Sequence, residues 1–319
     1  MRILITGVHG FVGSNLVESL SANNTIYGLD IINPDRKGVV RTFSWDDLKS
    51  GEIPEVDVII HLAGKAHDTK NEADKDVYFK VNLGLTQIIF DYFCESKISK
   101  FIFFSTAKAA AEKVNGILTE AVIPSPRGPY GESKIEAERY ILDKMNDSPA
   151  SFSDRGVYIF RPCMIHGPGN KGNLNLLYDM VSKGLPWPLG AFDNKRTFTS
   201  IGNVCFVIDG VINGNVPSGI YNLGDDDPIS TNDLIRIICS SLNKTPHIWK
   251  ISPRIMFFLA KVGSFLHLPL NMERFQKLTE NYVSSNAKIK SALGVDKLPI
   301  SAEKGLENTL EYFSSKERL

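Results

Sequence analysis

Short apolar runs alternate with longer amphipathic segments through the first half of the chain. In the longer segments apolar residues recur at three- and four-residue spacing, which predicts helices at Phe11–Ser21, Val77–Ser96 and Ser133–Met145. The short runs between them predict strands at Ile3–Thr6, Thr25–Leu29, Val58–Leu62, Phe101–Phe104 and Val157–Phe160. Such alternation is typical of βαβ units, in which successive strands run parallel. We therefore predict an α/β protein with a doubly wound parallel sheet.

Glycine recurs at every third position directly after the first predicted strand. Gly7, Gly10 and Gly13 form Gly-x-x-Gly-x-x-Gly, which differs from the common dinucleotide spacing Gly-x-Gly-x-x-Gly. Glycine permits a tight turn and close approach of the backbone to a pyrophosphate, and the N-terminus of the following helix offers free N–H groups. We predict a Rossmann-type sheet whose first loop, including Phe11 and Val12, binds a dinucleotide.

A carboxylate follows the second predicted strand. Asp30 lies 23 residues beyond Gly7, where it can accept hydrogen bonds from the adenosine ribose hydroxyls. Because the same charge would repel a 2′-phosphate, NAD is favoured over NADP. Arg36 is the residue that could still serve NADP, although a loop arginine is more often a solvated charge.

The regular alternation weakens after Arg161. Gly and Pro punctuate residues 167–172 and 184–190, which indicates a second lobe. The strand-like run Gly219–Leu223 would return to the main sheet before a mostly helical C-terminal third. We predict a dinucleotide-binding domain of residues 1–165 with returning segments near 197–225, and a smaller, interleaved substrate-binding lobe of residues 166–196 and 226–319.

Charge and cysteine usage narrow the class of partner. The chain has 36 basic and 36 acidic residues, so it has no excess of positive charge that would indicate nucleic-acid binding. A small-molecule substrate is therefore favoured. Its four cysteines are widely separated without Cys-x-x-Cys pairing, which favours free thiols in a reducing compartment, and we predict no metal site. With no secretory segment and no apolar run long enough to span a bilayer, we expect a cytoplasmic protein without a membrane span.

One stretch invites a membrane interpretation. Ile255–Ala260 is apolar, but Lys261 and Ser264 interrupt its continuation, so it is too short to span a bilayer and could only lie on its surface. Because apolar stripes usually face cores, we expect this stretch to be a packed helix of the C-terminal lobe.

Tyr130 and Lys134 lie four residues apart, on one face of a predicted helix. A phenol is a poor base at neutral pH, but a neighbouring ammonium and a positively charged nicotinamide ring would stabilise the phenolate and lower its pKa. Ser105 and Thr106 follow the strand Phe101–Phe104 and supply a hydroxyl that could hold the reacting oxygen opposite Tyr130. This set predicts proton transfer coupled to hydride transfer.

Several motifs occur together in one order and spacing: Gly7-x-x-Gly10-x-x-Gly13, His61-Leu62-Ala63-Gly64, Asn82, Ser105-Thr106 and Tyr130-x-x-x-Lys134. In these the chain resembles the extended short-chain dehydrogenases/reductases, the NAD-dependent epimerase/dehydratase family, over nearly its whole length. It looks most like the UDP-hexose 4-epimerase branch, including relatives that act on UDP-N-acetylhexosamines or reduce UDP-4-keto-6-deoxy sugars for surface polysaccharides.

The resemblance implies roles for individual residues. Tyr130 would be the acid/base at the C4 oxygen of the sugar, Thr106 its hydrogen-bond partner, and Lys134 a ligand of the nicotinamide ribose. Besides Tyr130 and Lys134, the cofactor would contact Gly7, Gly10, Phe11, Val12, Gly13, Asp30, Leu62, Ala63, Gly64, Lys65 and Asn82, the last of which would also fix backbone. The UDP-sugar would contact Thr106, Met164, Asn173, Arg196 and Tyr282, with the Arg196 guanidinium suited to phosphate oxygens.

Departures from the family pattern bear on the reaction. Ser105-Thr106-Ala107-Lys108 lacks the Asp-Glu pair of the sugar 4,6-dehydratases, which disfavours dehydration. Met164 and Asn203 replace an asparagine and an aspartate that are frequent in hexose 4-epimerases, so the identity of the sugar substrate stays undecided.

The resemblance therefore implies an NAD-dependent enzyme acting at C4 of a UDP-hexose or UDP-N-acetylhexosamine. We favour a UDP-sugar 4-epimerase because Asp30 suits NAD; the alternatives are a UDP-4-keto-6-deoxy-HexNAc 4-reductase using NAD(P)H and a non-catalytic NAD-binding sensor or scaffold. The predicted helices Val77–Ser96 and Ser133–Met145 resemble the pair that forms the family's homodimer.

Overall fold

A parallel sheet of seven strands forms the centre of the computed structural model, which describes residues 1–66, 74–170, 172–266, 268 and 270–316. Its strands are β1 (Arg2–Thr6), β2 (Thr25–Leu29), β3 (Arg41–Phe43), β4 (Val58–His61), β5 (Lys100–Phe104), β7 (Gly156–Pro162) and β10 (Gly219–Leu223). They lie in the order β10-β7-β5-β4-β1-β2-β3, and every neighbouring pair is parallel. The order reverses beside β1, as in doubly wound sheets, where ligands bind at the carboxyl ends of the strands.

Helices cover both faces of the sheet. One face is covered by α1 (Phe11–Leu20), α8 (Ile201–Asn213) and α12 (Ala287–Leu293). The other is covered by α2 (Trp45–Lys49), α4 (Leu85–Glu95) and α6 (Pro129–Asp147). The strands are therefore buried on both sides, which explains their unbroken runs of Ile, Val, Leu and Phe.

A second hydrophobic core lies in the later part of the chain, with Leu174, Trp187, Ile235, Met256 and Leu310 among its members. It is built from α7 (Asn173–Ser182), α9 (Thr231–Ser241), α10 (Pro253–Phe265), α11 (Met272–Thr279) and α13 (Ala302–Lys316). Two short parallel pairs connect it to the main sheet: β6 (Ile117–Leu118) with β11 (Val283–Ser284), and β8 (Met164–His166) with β9 (Phe198–Ser200). Among the described residues, none of the helices combines the length and the hydropathy needed to cross a bilayer.

The main predicted elements agree with the structure to within a few residues, and the differences include the following. The returning strand has the predicted bounds, Gly219–Leu223, whereas the short edge strand β3 was not predicted. The predicted helix Val77–Ser96 is divided into α3 (Lys75–Tyr78), a π-helical turn (Phe79–Gly84) and α4. The helix predicted to begin at Ser133 begins at Pro129 instead, because proline is well suited to the first helical position. Tyr130 and Lys134 therefore both lie inside α6. The remaining short elements are α5 (Ala107–Ala110) and a 3₁₀ turn, Pro149–Phe152.

Candidate active site

The loops that follow β1 and β4 touch at the carboxyl edge of the sheet, because these two strands are neighbours. Gly7 has φ +69°, and a Cβ placed on it would come within 2.9 Å of the Ala63 backbone nitrogen. That nitrogen donates a hydrogen bond to Thr6 Oγ1 at 3.0 Å, and Leu62 N donates to the Thr6 carbonyl at 3.2 Å. The two predicted cofactor segments thus form one continuous floor that only glycine at position 7 permits.

The glycine loop leaves a cradle at the N-terminus of α1. A Cβ on Gly13 would lie 2.5 Å from the Gly7 carbonyl oxygen, so the helix packs directly on the loop backbone. Gly10 is the N-cap residue and provides no side-chain cap for the first helical turn. Val12 packs against the sheet core, while the Phe11 ring approaches the chain at Gly167, 3.6 Å from a Cβ placed there.

Asp30 is held at the end of β2 by backbone donors. Its carboxylate accepts hydrogen bonds from the His9 N–H at 3.1 Å and from the Ile31 N–H at 2.7 Å. It is thereby fixed beside the glycine loop. Burial lowers the pKa of His9; the Asp30 charge opposes this effect and the Arg36 charge adds to it.

These residues fit a dinucleotide. The Gly7–Gly13 loop would hold the pyrophosphate because its glycine positions leave room that Cβ atoms would fill, and because N–H groups of the first α1 turn have no side-chain cap. Asp30 would hold the adenosine ribose. That these residues bind NAD stays a prediction.

We expect Gly13→Ala to weaken both the fold and dinucleotide binding. The added methyl meets backbone atoms of Gly7 and Val8 at 2.5–2.8 Å, so the loop must shift, at a cost of roughly 1–3 kcal/mol. Gly84→Ala is the matched control, since its nearest neighbour lies 3.9 Å away and alanine favours a helix. Thermal unfolding with and without NAD compares the two. Equal melting temperatures and equal NAD-induced shifts for both variants would contradict this interpretation of the loop.

The three predicted catalytic residues meet near the carboxyl end of β5. Thr106 caps α5 and lies within hydrogen-bonding reach of Tyr130. Lys134 is 4% exposed, and its Nζ donates to the Phe104 carbonyl at 2.8 Å. A Cβ placed on Gly64 would lie 3.1 Å from the same Nζ, so the lysine reaches the floor formed by the loop after β4.

Burial shifts both titratable groups away from their charged forms. It raises the pKa of Tyr130, an effect that the Thr106 hydrogen bond opposes and Tyr78 reinforces. It lowers the pKa of Lys134 to about 8, partly opposed by Glu138. The phenolate predicted from the sequence therefore requires a further positive charge, which an oxidised nicotinamide would supply.

Asn82 lies in the π-helical turn and forms hydrogen bonds with two other segments of the site. Its Oδ1 accepts from the Lys65 N–H at 2.7 Å, and its Nδ2 donates to the Lys65 carbonyl at 3.1 Å and to Ser133 Oγ at 2.9 Å. Ser133 Oγ in turn donates to the Tyr130 carbonyl at 3.0 Å. Asn82 thus ties the loop after β4 to the first turn of α6. The side-chain ammonium of Lys65 lies over the Tyr78 ring.

Two of the predicted substrate residues lie side by side. Arg196 pairs with Tyr282 through the backbone, and Thr197 N donates to the Tyr282 carbonyl at 2.9 Å. The Tyr282 hydroxyl donates to the Ala111 carbonyl at 2.8 Å, at the end of the segment that Thr106 begins. The Arg196 guanidinium donates to the Lys277 carbonyl in α11. Arg196 and Tyr282 thus connect the second lobe to the catalytic loop.

Met164, Asn173 and Asn203, also singled out from the sequence, have positions that say little about substrate binding. Met164 lies in β8 and packs, partly buried, against the core of the second lobe. Asn173 is the first residue of α7, and its side chain lies outside the described part of the structure. Asn203 is 1% exposed and forms hydrogen bonds with Asp225 and Ile300. The asparagine that stands here in place of the family's aspartate therefore contacts protein atoms.

Sequence reasoning missed a charged group beneath the catalytic loop. Ser105 turns away from Tyr130 and donates to Glu138, whose carboxylate accepts from Arg161 Nε at 3.0 Å and from Nη2 at 2.6 Å. The ion pair is 1–2% exposed. Two signals point to it in the sequence: Arg161 ends an apolar strand, and Glu138 lies one helical turn beyond Lys134.

Comparisons with known proteins agree with this geometry. Residues 3–224 match the NAD dependent epimerase/dehydratase family. UDP-glucose 4-epimerase of Vibrio cholerae is 31% identical over 259 residues, which cover 76% of this chain and 76% of that protein. The N-acetyl-alpha-D-glucosaminyl-diphospho-ditrans,octacis-undecaprenol 4-epimerase of Escherichia coli O157:H7 is 26% identical, over 98% of this chain and 95% of that protein.

Solved structures confirm the predicted fold. The crystal structure of the Thermus thermophilus UDP-glucose 4-epimerase in complex with NAD has a TM-score of 0.75 and 23% identity, covering 98% of this chain and 99% of that one. The family match extends over more than half of the sequence, and the Vibrio cholerae relative supports it independently. The chain belongs to the NAD dependent epimerase/dehydratase family.

Proposed function

We propose that this protein is an NAD-dependent 4-epimerase of a UDP-hexose or UDP-N-acetylhexosamine. The observation that carries the proposal is the meeting of Thr106, Tyr130 and Lys134 beside the glycine floor. Tyr282 contacts the end of the same loop and Arg196 lies beside Tyr282, and a guanidinium at this position would suit a substrate diphosphate. The named activity of the Vibrio cholerae relative supports the same reaction.

In the proposed mechanism Tyr130 moves the proton. Its phenolate removes the proton of the sugar 4-hydroxyl while Thr106 holds the same oxygen, and the hydrogen at C4 leaves as hydride. NAD, when bound, supplies the acceptor and later the donor of that hydride. After the 4-keto sugar has turned over about its diphosphate linkage, hydride returns to its other face and Tyr130 gives the proton back. Lys134, in its protonated form, would favour phenolate over phenol, although burial lowers its own pKa to about 8.

The same residues also serve a 4-ketoreductase, which takes a 4-keto sugar from solution and consumes NAD(P)H. The two reactions differ in how the cofactor is used. An epimerase regenerates NAD in each cycle, whereas a reductase releases oxidised cofactor. A sensor would bind NAD and change no sugar.

A second candidate substrate is a sugar carried on a polyprenol diphosphate. The Escherichia coli relative, named for such a substrate, matches this chain over nearly its full length. Because both substrates present a diphosphate, Arg196 would serve either.

The deciding experiment uses purified protein without added cofactor. We expect it to interconvert UDP-GlcNAc with UDP-GalNAc, or UDP-glucose with UDP-galactose, resolved by chromatography. N-acetylglucosaminyl-diphospho-undecaprenol is the parallel substrate, and turnover of that compound alone would replace the proposal by the second candidate. If no sugar is changed, consumption of NAD(P)H with a UDP-4-keto-6-deoxy-HexNAc identifies a reductase, and inactivity with every substrate supports a sensor.

A further inference from the structure

Helix α10 packs on the second lobe through one narrow face. Met256, Ala260 and Gly263 point inward and are buried, at the three- and four-residue spacing expected of a packed stripe. The Phe257 ring also contacts Phe275 of α11, with ring centroids 6.3 Å apart. To this extent the prediction of a packed helix agrees with the structure.

The larger apolar side chains of α10 lie outside this inward stripe and are exposed. Phe265 is 83% exposed and Phe258 is 64% exposed. We define the α10 apolar face by Ile255, Phe258, Leu259 and Phe265 of the helix and Leu266 at its C-cap; Phe257, 43% exposed, is left out because its ring contacts Phe275. Trp249 and Leu268, beyond the two ends of the helix, are also exposed. The expectation that this apolar stripe faces the core is therefore wrong for most of its side chains, because small residues already fill the inward face.

The charge along the stretch of chain that carries this face is one-sided. Residues 234–272 contain five Lys and Arg residues and no Asp or Glu, although the whole chain has equal numbers of both signs. Lys250, Arg254 and Lys261 are exposed, and none of them forms a salt bridge with a residue that the structure describes. An exposed apolar stripe bordered by exposed cations is the pattern of helices that lie in the headgroup region of anionic membranes.

We propose that the α10 apolar face docks this protein on the surface of an anionic lipid bilayer. The phenylalanines and leucines would enter the boundary between headgroups and acyl chains, Trp249 would lie at headgroup level, and the cations would contact lipid phosphates. A symmetric contact with a second copy would bring the same uncompensated cations together, so charge favours the bilayer. The helix lies on the membrane and does not cross it.

Docking would bring the substrate side of the molecule close to the membrane. Phe257 of α10 contacts Phe275 of α11, and the last turn of α11 accepts a hydrogen bond from Arg196. One helix layer therefore separates the docked face from the residue predicted to bind diphosphate. The docking itself does not depend on the proposed reaction.

The test is sedimentation of the full-length protein with extruded vesicles. We expect binding to vesicles of phosphatidylcholine with phosphatidylglycerol at low salt, and much weaker binding to phosphatidylcholine alone or at high salt. Phe258→Ser combined with Phe265→Ser should lower the partition constant by about 100-fold. The control is Ile123→Ser, an equally exposed apolar residue (87%) outside this face, which should bind like the parent protein.

A second pair of variants tests the cations. Lys250→Glu with Arg254→Glu should abolish the preference for anionic vesicles, whereas Lys97→Glu with Lys297→Glu, also on exposed lysines, should retain it. Equal binding to neutral and anionic vesicles, or unchanged binding of the double serine variant, would overturn the proposal. So would a dimer in solution that the serine variant converts to a monomer, with no vesicle binding by the parent, because a second copy would then cover the face.

Discussion

Tyr130→Phe is expected to lower kcat by about 1000-fold, since it removes the group that carries the proton and nothing else. The Tyr130 hydroxyl interacts with Thr106, whose own side chain also accepts a hydrogen bond from the Lys108 N–H. Loss of one hydroxyl at the edge of the cleft should therefore change the free energy of unfolding by less than about 1.5 kcal/mol. NAD binding, followed by titration of the purified variant, should stay within a fewfold of the parent protein.

Tyr140→Phe is the matched control on the same helix. It removes a phenolic hydroxyl that donates to Asp91 at 2.6 Å, away from Thr106 and Lys134. Turnover of this variant should be close to that of the parent protein. If Tyr130→Phe kept its activity within tenfold, another group would be moving the proton and the proposed mechanism would be wrong.

Much of the fold could be predicted because the sheet is buried on both faces. Strands such as β4 and β5 are unbroken apolar runs, and the helices between them carry a clear three- and four-residue period. The edge strand β3 (Arg41–Phe43) has only three residues and an exposed arginine, so no pattern marks it. The π-helical turn has no signature in the apolar period either, because one extra residue in a turn shifts the period without interrupting it.

The site was predictable to different extents at its two ends. The glycine loop, Asp30 and the Tyr130–Lys134 pair follow from spacing, because each sits at a fixed distance from a strand end or along one helix face. The meeting of Arg196 with Tyr282 joins residues 86 positions apart through an isolated backbone contact, which the family resemblance indicated and spacing could not. The Glu138–Arg161 pair was missed because each residue, taken alone in the sequence, looks like an ordinary surface charge. Only the packing of α6 on β7 brings the two together.

The buried pair predicts the largest effect on stability. Arg161→Met would leave the Glu138 carboxylate buried with only the Ser105 hydroxyl among its side-chain donors in the described structure. We expect a loss of about 3–5 kcal/mol in the free energy of unfolding, measured by urea denaturation, because an unpaired buried charge keeps its desolvation cost. Lys304→Met, which breaks an exposed pair with Glu307, should cost less than about 1 kcal/mol.

The double variant Arg161→Met with Glu138→Leu separates pairing from packing. Since neither charge then remains buried, the double variant should be more stable than Arg161→Met alone. A double-mutant cycle that also includes Glu138→Leu should show a coupling energy of about 2 kcal/mol or more between the two residues. Ser105 would lose its acceptor, but its hydroxyl can rotate toward another partner. Strictly additive losses in the two single variants would mean that the residues stabilise the sheet separately, and that the support beneath Thr106 comes from packing alone.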